Sequence, residues 1–430
     1  MADTPSSLPR RLKSDGSARS RTLSDAVAGR IRSAPTGAAR VAVKKLFAAE
    51  ETSFFVILGT ALFLVVFGLV MVLSSSSVEQ YVATHDFFGA FLRQGIFAAL
   101  GVPAMLVVSR VPTWAWKKYA WHLLVLAMFL QLLVFTPLGS TVNGNRNWIR
   151  IGSSFSAQPS EFLKLALVIW IGMILVKKER KLGDWKELLV PLIPVVLIAM
   201  GLVMKGGDLG TTLILIMLVA VAVFVAGVKL RFFVPPLILL ACVLPVITSG
   251  ASSRTDRISA WMSGCSSEEA YQSTCWQTVH GLWALASGGV FGVGLGNSKA
   301  KWSWLPEADN DFIFAIVGEE LGLIGACVVL ALFIVLAVSF MKILRSTDDP
   351  FVRIVTGGVM TWVIGQALVN IAVVLGLLPV LGVPLPLISA GGSSLIFTLI
   401  AIGVVLSFVH RRPGDPVSAL RSDEQVGSLR

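Results

Sequence analysis

Ionisable side chains set in or beside apolar runs are costly to keep there, so each one is a candidate for chemistry. Asp311 opens the apolar run that begins at Phe312, behind Pro306, Glu307 and Asp309. A carboxylate at the water-facing mouth of a helix can stay ionised and act as a base on an amphiphilic substrate. Its alternative use is as a charge satisfying the helix dipole, which accounts for one acid but not for an acidic cluster. Glu319 and Glu320 follow about two turns deeper. Adjacent carboxylates cannot share a face, so structural pairing with a basic or polar group from another helix is expected for them. Glu161 and Lys164 are three residues apart, share a helix face and can pair; structural and functional roles are both open. Lys205 and Asp208 flank Gly206 and Gly207, where the backbone can bend tightly or approach a ligand. Arg146, Arg150, Lys164, Lys205, Arg254 and Arg257 are cations suited to phosphate, Arg as a bidentate fork and Lys as a point charge. Taken singly, each is equally a snorkelling or interface anchor. His85, His122, His280 and His410 are scattered, and no zinc-type spacing accompanies the four cysteines, so neither a His-based triad nor a metal cluster is indicated.

The elements that position these groups follow from composition. Of 430 residues, 55% are hydrophobic and 14% charged, with a mean hydropathy of +0.79. Soluble domains carry about 25% charged residues, so a soluble chain is excluded, as are disorder, collagen and a disulfide scaffold as overall classes. Runs long enough to cross a bilayer lie near 54–73, 87–108, 120–137, 160–176, 188–204, 209–227, 232–249, 312–340, 354–375 and 393–410. The fold class expected is an all-α, polytopic membrane protein of ten transmembrane helices. Most of the 36 Lys/Arg fall in the two tails and in alternate loops, which places both termini in the cytoplasm by the positive-inside rule. The net charge of +11 therefore tracks loops and does not point to nucleic acid. The organisation expected is a disordered basic tail (1–53), a membrane domain (54–410) and a cytoplasmic C-terminal tail (411–430). The first fifty residues lack an apolar signal core, so the first span is expected to be retained. A large extracytoplasmic loop (250–310) separates helices 7 and 8; its Trp261, Trp276 and Trp283 and its glycine-rich 287–296 suit half-helices on the membrane surface. Cys265 and Cys275 lie in this loop, in a compartment where a disulfide persists, and are expected to be bridged, two free thiols being the alternative.

At these positions a family resemblance becomes specific. Val142-Asn143-Gly144-Asn145-Arg146-Asn147-Trp148-Ile149, Gln158-Pro159-Ser160-Glu161-Phe162-Leu163-Lys164 and Asp208-Leu209-Gly210-Thr211 occur in order, followed by Gly292-Val293-Gly294-Leu295-Gly296-Asn297-Ser298. Leu305-Pro306-Glu307-Ala308-Asp309-Asn310-Asp311-Phe312, Gly318-Glu319-Glu320-Leu321-Gly322 and Pro384-Leu385-Pro386-Leu387-Ile388-Ser389-Ala390-Gly391-Gly392-Ser393-Ser394 complete the series. Over about 54–412 the chain resembles the SEDS family (shape, elongation, division and sporulation), and its basic tail and Arg411-Arg412-Pro413 are more similar to the division members than to the elongation members. The resemblance implies a peptidoglycan glycosyltransferase that polymerises lipid II on the outer face of the plasma membrane, at the division septum. It implies as partners a class B penicillin-binding transpeptidase and other divisome membrane proteins. It carries the catalytic role onto Asp311 and substrate contacts onto Arg146, Glu161, Lys164, Lys205, Asp208 and Ser393.

In that chemistry Asp311 accepts the proton of an acceptor sugar 4-hydroxyl while the oxygen attacks the donor anomeric carbon and expels undecaprenyl diphosphate, an inverting displacement. The leaving group needs Lys, Arg or a divalent cation (Mg or Mn), and a nearby cation is expected to hold the proton affinity of Asp311 low. Three other readings are an elongation-type polymerase, a lipid II flippase with functional charge near the bilayer midplane, and a non-catalytic docking scaffold for a division complex.

Overall fold

Within lipid every backbone N–H and C=O must be satisfied inside its own segment, so the apolar runs become helices. The computed structural model describes residues 52–409, apart from 143, 152–154, 182, 235–237, 239–251, 266–270, 272–274 and 303. In order, the principal elements are α1 (Thr52–Thr84), α2 (Gly89–Val108), α3 (Thr113–Leu133), β1 (Gly139–Val142), β2 (Asn145–Ile151), β3 (Phe155–Ala157), α4 (Pro159–Lys177), α5 (Trp185–Lys205) and α6 (Leu209–Val225). There follow α7 (Ser252–Met262), α8 (Trp276–Gly288), α9 (Ile313–Ser346), α10 (Pro350–Met360), a π-helical turn (Thr361–Gly365), α11 (Gln366–Val374) and α12 (Ser393–Val409). Five stretches are long and apolar enough to cross a membrane: Thr52–Ser77, Gly89–Val108, Pro159–Lys177, Ile313–Ser346 and Pro350–Val374. Val190–Lys205, Leu209–Val225 and Ser393–Val409 are shorter apolar helices.

Most of the seventh expected span (232–249), all but the last two residues of the expected N-terminal tail (1–53) and the whole expected C-terminal tail (411–430) lie outside the described residues. The third expected span (120–137) is corrected to Thr113–Leu133. Pro112 is extended (φ −70°, ψ 145°) and ends the preceding turn, so the helix starts directly after it.

α4 is buried over almost its whole circumference and is the centre of the bundle, packed by α3, α6, α10 and α12. A helix carrying Glu161 and Lys164 needs such a position, because charged side chains are costly against lipid. The purely helical expectation needs a second correction, because the loop before α4 folds into an antiparallel sheet in the order β1-β2-β3. Gly139 pairs with Ile149, Val142 with Asn145, and Ile149 with Ala157. The β1–β2 turn uses Gly144 at φ +79°, a conformation open to glycine.

α9 is broken in its N-terminal third at Gly322 (φ +67°, ψ −165°), and the chain after α8 fills the break. Val293 and Gly294 N–H groups donate to the Glu319 and Glu320 carbonyls (both 3.0 Å), while Leu323 and Ile324 N–H groups donate to Gly289 and Val290 (2.9 and 3.3 Å). A Cβ at Gly322 would lie 2.4 Å from the Gly292 nitrogen, and one at Gly292 would lie 2.2 Å from the Glu320 carbonyl oxygen. Both glycines are therefore required by backbone contact.

Candidate functional site

Asp311 sits in the turn just before α9, and three hydrogen bonds, two from the 376–392 segment and one from α11, clamp the backbone around it. The Asp309 carbonyl accepts from Ala390 N–H (2.9 Å), the Asn310 carbonyl from Ser389 Oγ (2.6 Å) and the Asp311 carbonyl from Asn370 Nδ2 (2.7 Å). Asn370 also donates to the Val383 carbonyl (2.7 Å), which fixes the 376–392 segment over the turn. A Cβ on Gly382 would come 3.6 Å from Asp311 Oδ2. The residue as a whole keeps partial exposure, but Oδ1 is sealed from solvent and has no hydrogen-bond partner among the described residues.

Burial pushes the Asp311 carboxyl up from 3.8 to about 7, and Glu307, Asp208 and Asp309 push in the same direction against the opposing charge of Arg257. The expected low proton affinity is thereby corrected: the surroundings of Asp311 are acidic on balance. A value near neutrality suits a general base, which must both hold and release a proton at working pH.

Asp208 caps α6. Its Oδ1 accepts from Thr211 N–H (2.8 Å), and its Oδ2 accepts from Thr211 Oγ1 (2.7 Å) and Gln158 Nε2 (3.0 Å). Burial holds this carboxyl above its ordinary value, despite those Thr211 bonds, the charge of Lys164 and the Gln158 bond. The Gln158 N–H donates to Ser393 Oγ (3.1 Å), bringing the first residue of α12 to the first turn of α4. Lys164 pairs with Glu161 (2.9 Å), donates to Gln366 Oε1 (3.0 Å) and lies over the Trp362 ring at 4.6 Å. Gln366 in turn donates to the Pro384 carbonyl (2.9 Å). Hydrogen bonds thus tie Asp311, Lys164 and Glu161 together through Asn370, Gln366 and the 376–392 segment, and Asp208 to Ser393 through Gln158; the two groups feel each other through charge, Lys164 at Asp208 and Asp208 at Asp311. Lys164 and Glu161 are both buried, so their place is under the site and not on its surface.

The remaining candidates are used otherwise. Arg146 spends its Nε on the Val134 carbonyl (3.0 Å) and its Nη2 on the Thr136 carbonyl (2.8 Å), capping the end of α3. Lys205 lies over the Phe135 ring at 4.9 Å. Gly206 is needed for close approach to β2: its carbonyl accepts from Arg146 N–H (2.8 Å), and a Cβ there would meet the Asn147 side-chain amide at 2.2 Å. Glu319 holds a turn, accepting from Ser298 Oγ and from the N–H groups of Lys299 (2.9 Å) and Ala300 (3.4 Å). Glu320 accepts from Ser74 of α1 (2.7 Å) and pairs with Lys301 (3.4 Å). Cys265 and Cys275 are joined, with an S–S distance of 2.09 Å.

Sequence reading gave no role to Gln158, Gln366, Asn370 and Ser389. The available signal was Gln366 and Asn370, four apart and hence on one helix face in an otherwise apolar run. Among the described residues no group of three or more His, Cys, Asp or Glu could hold a metal. Hard-cation donors do exist beside the carboxylate: the Oδ1 atoms of Asn310, Asp311 and Asn370 are buried without hydrogen-bond partners among the described residues.

Residues 54–413 match the family model for FtsW, RodA and SpoVE, described as cell cycle protein. The chain belongs to this family. Among FtsW/RodA/SpoVE proteins, it is 36% identical over 381 residues to "Probable peptidoglycan glycosyltransferase FtsW" of Mycobacterium tuberculosis, covering 88% of this chain and 72% of that protein. It is 38% identical to the protein of the same name from Geobacter metallireducens (84% and 96% covered) and to stage V sporulation protein E of Bacillus subtilis (80% and 94%). The fold is similar to the rod shape determining protein RodA of Thermus thermophilus, with a TM-score of 0.63 at 24% identity, covering 86% of this chain and 99% of that one. It is also similar to a chain of a peptidoglycan synthase complex that coordinates polymerization and crosslinking, with a TM-score of 0.68 at 23% identity (84% and 98%).

Proposed function

We propose that this FtsW/RodA/SpoVE member is a peptidoglycan glycosyltransferase of cell division that polymerises lipid II on the outer face of the bacterial plasma membrane, with Asp311 as general base. One observation carries the role of Asp311: a carboxylate oxygen enclosed at the mouth of α9 with no hydrogen-bond partner among the described residues. Ten spans with both termini in the cytoplasm put that mouth outside, where the lipid-linked disaccharide is polymerised.

Asp311 Oδ1 takes the proton of the acceptor 4-hydroxyl as that oxygen bonds to the donor anomeric carbon; the bond from that carbon to the diphosphate breaks, and undecaprenyl diphosphate leaves with the electron pair. General-base assistance of this kind is worth about 10² to 10⁴ in rate. Asn370, Ser389 and Ala390 fix the turn, so the carboxylate is preorganised before substrate arrives. Arg257, whose charge is felt at Asp311, would offset the charge of the leaving diphosphate. A Mg or Mn ion would supply further positive charge for that diphosphate, and the unpartnered Asn310 and Asn370 amide oxygens beside Asp311 are the donors that would hold it. A class B penicillin-binding transpeptidase is the expected partner, as the synthase-complex neighbour supports, and other divisome membrane proteins at the septum complete the setting. In the test, purified protein is given lipid II and glycan strands are resolved by gel, while lipid movement is followed separately. Asp311→Asn abolishes strands; full polymerisation by a stable Asp311→Asn protein removes the residue from this role.

A further inference from the structure

The outer loop holds an aromatic cluster that neither the acidic turn nor the helix packing uses. The Trp276 ring stacks on His280 (3.9 Å between centroids, 27°) and lies nearly parallel to Trp304 (6.3 Å, 10°). His280 also faces Trp283 at 5.0 Å and Trp304 at 5.9 Å. The cluster is anchored from below. His280 is buried with Nδ1 against the Trp276 carbonyl (2.8 Å), and its Nε2 is enclosed without a partner among the described residues. The disulfide fixes the start of α8 at the neighbouring Cys275. The top is open: Trp304 is 55% and Trp283 56% exposed.

This shelf is continuous with the turn that carries Asp311. Trp304 stands seven residues before it, and Gln277 Nε2 donates to the Pro306 carbonyl (3.4 Å). α8 lies against the start of α9 so closely that a Cβ on Gly281 would come 2.9 Å from the Phe312 ring. Two ligands suit exposed indoles, a lipid interface and the apolar C–H face of a pyranose ring. An interfacial Trp directs its N–H to the headgroup water, whereas Trp276 spends its N–H on the Trp304 carbonyl (2.8 Å), holding the exposed Trp304 indole beside its own ring. An apolar surface suited to lipid lies elsewhere, on the 289–296 loop, where Val290, Phe291 and Leu295 are 53%, 82% and 56% exposed.

We infer that the Trp276–Trp304 shelf is a subsite for the nascent glycan, stacking N-acetylated amino-sugar rings as the strand emerges from the Asp311 turn and holding it between additions. The inference rests on the glycosyltransferase reading. Its chemistry is non-covalent, so its signature is strand length and oligosaccharide binding.

The test uses the full-length protein in nanodiscs, as wild type, Trp304→Ala and Trp304→Phe, each checked for an unchanged melting temperature. Two readouts are taken: the length distribution of strands made from lipid II, and binding of a lipid-free tetrasaccharide of alternating β-1,4-linked N-acetylglucosamine and N-acetylmuramic acid. Trp304→Ala is expected to shorten strands about three- to tenfold and to weaken tetrasaccharide binding by a similar factor, with Trp304→Phe between it and wild type. Unchanged strand length and binding in Trp304→Ala overturn the inference, as does a loss confined to tryptophan quenching by brominated lipid, which marks a membrane anchor. A wild type that binds tetrasaccharide through Trp304 but makes no strands supports the shelf and defeats the glycosyltransferase reading instead.

Discussion

Asp311→Asn separates the cost of the carboxylate from its use. Holding a carboxyl whose ordinary value is 3.8 at about 7 corresponds to on the order of 4 kcal/mol of strain on the folded state when the group is ionised. The sign follows from the raised value. The folded protein binds this proton more tightly than the unfolded chain, so the associated stability is fully present below about pH 4. It is lost progressively as the pH rises and is gone above about 7. Asn keeps the shape and carries no charge, so the variant escapes the loss. At pH 8.5 Asp311→Asn should be the more stable protein by up to about 4 kcal/mol, and at pH 5.5 by about half of that. The difference amounts to a few degrees in apparent melting temperature for a chain of this size. The assay is thermal unfolding of both purified proteins at one fixed scan rate, between pH 5.5 and 8.5, because unfolding of such a protein is a rate as much as an equilibrium. A gap that stays constant across this range, or an Asn variant less stable at pH 8.5, refutes the placement of a buried, unsatisfied carboxylate.

The same titration predicts a wild-type kcat/KM for lipid II that rises through about pH 7 and levels off above it, because only the ionised form accepts a proton; a profile flat from pH 5.5 to 8.5 contradicts this. Lys164→Met leaves Glu161 charged and buried and should cost about 3–5 kcal/mol; Glu161→Gln/Lys164→Met should recover most of it, as thermal unfolding of the single and double variants will show. Gly322→Ala places a Cβ 2.4 Å from backbone atoms at a positive φ, so folded protein recovered by size-exclusion chromatography should fall to a small fraction of wild type. Removing the bridge by Cys265→Ser/Cys275→Ser frees a loop of sequence separation 10 and should cost about 2–3 kcal/mol, read as a lower melting temperature.

What the sequence disclosed and what it hid divide along physical lines. Glu161 and Lys164 were legible because three-residue spacing forces a shared helix face, and Glu320 because an acid at that depth demands a partner, which Lys301 and Ser74 supply. Arg146 was not, since a guanidinium in a loop can serve a phosphate or a helix end equally well, and only the folded sheet shows that it caps α3. The sheet itself had a signal in Asn143-Gly144, the strongest short hairpin dipeptide, obscured by the helical character of everything around it. Glycines 288–296 read as loop, but their purpose depends on a break in α9 about thirty residues later, a long-range contact with no local signature. The clamp on Asp311 was hidden for the same reason: Asn370 and Ser389 are ordinary polar residues until chain folding sets them on the 309–311 carbonyls.

The dipole explanation for Asp311 can be weighed against the other aspartates at helix starts. Asp184 accepts from Lys186 N–H (3.1 Å), Asp208 from Thr211 N–H (2.8 Å) and Asp349 from Phe351 N–H (2.9 Å), each as an N-cap that satisfies an orphan donor. Asp311 stands one residue before the N-cap of α9, Phe312, and the start of this helix has no side-chain cap. Its carboxylate is enclosed with an unpartnered Oδ1 among acids that oppose its ionisation. A residue kept for stability would sit where its neighbours sit, accepting a backbone donor. The clamp instead satisfies the backbone around Asp311 and leaves Oδ1 without a partner, an arrangement that disfavours ionisation and gains only when a hydroxyl arrives to occupy that oxygen.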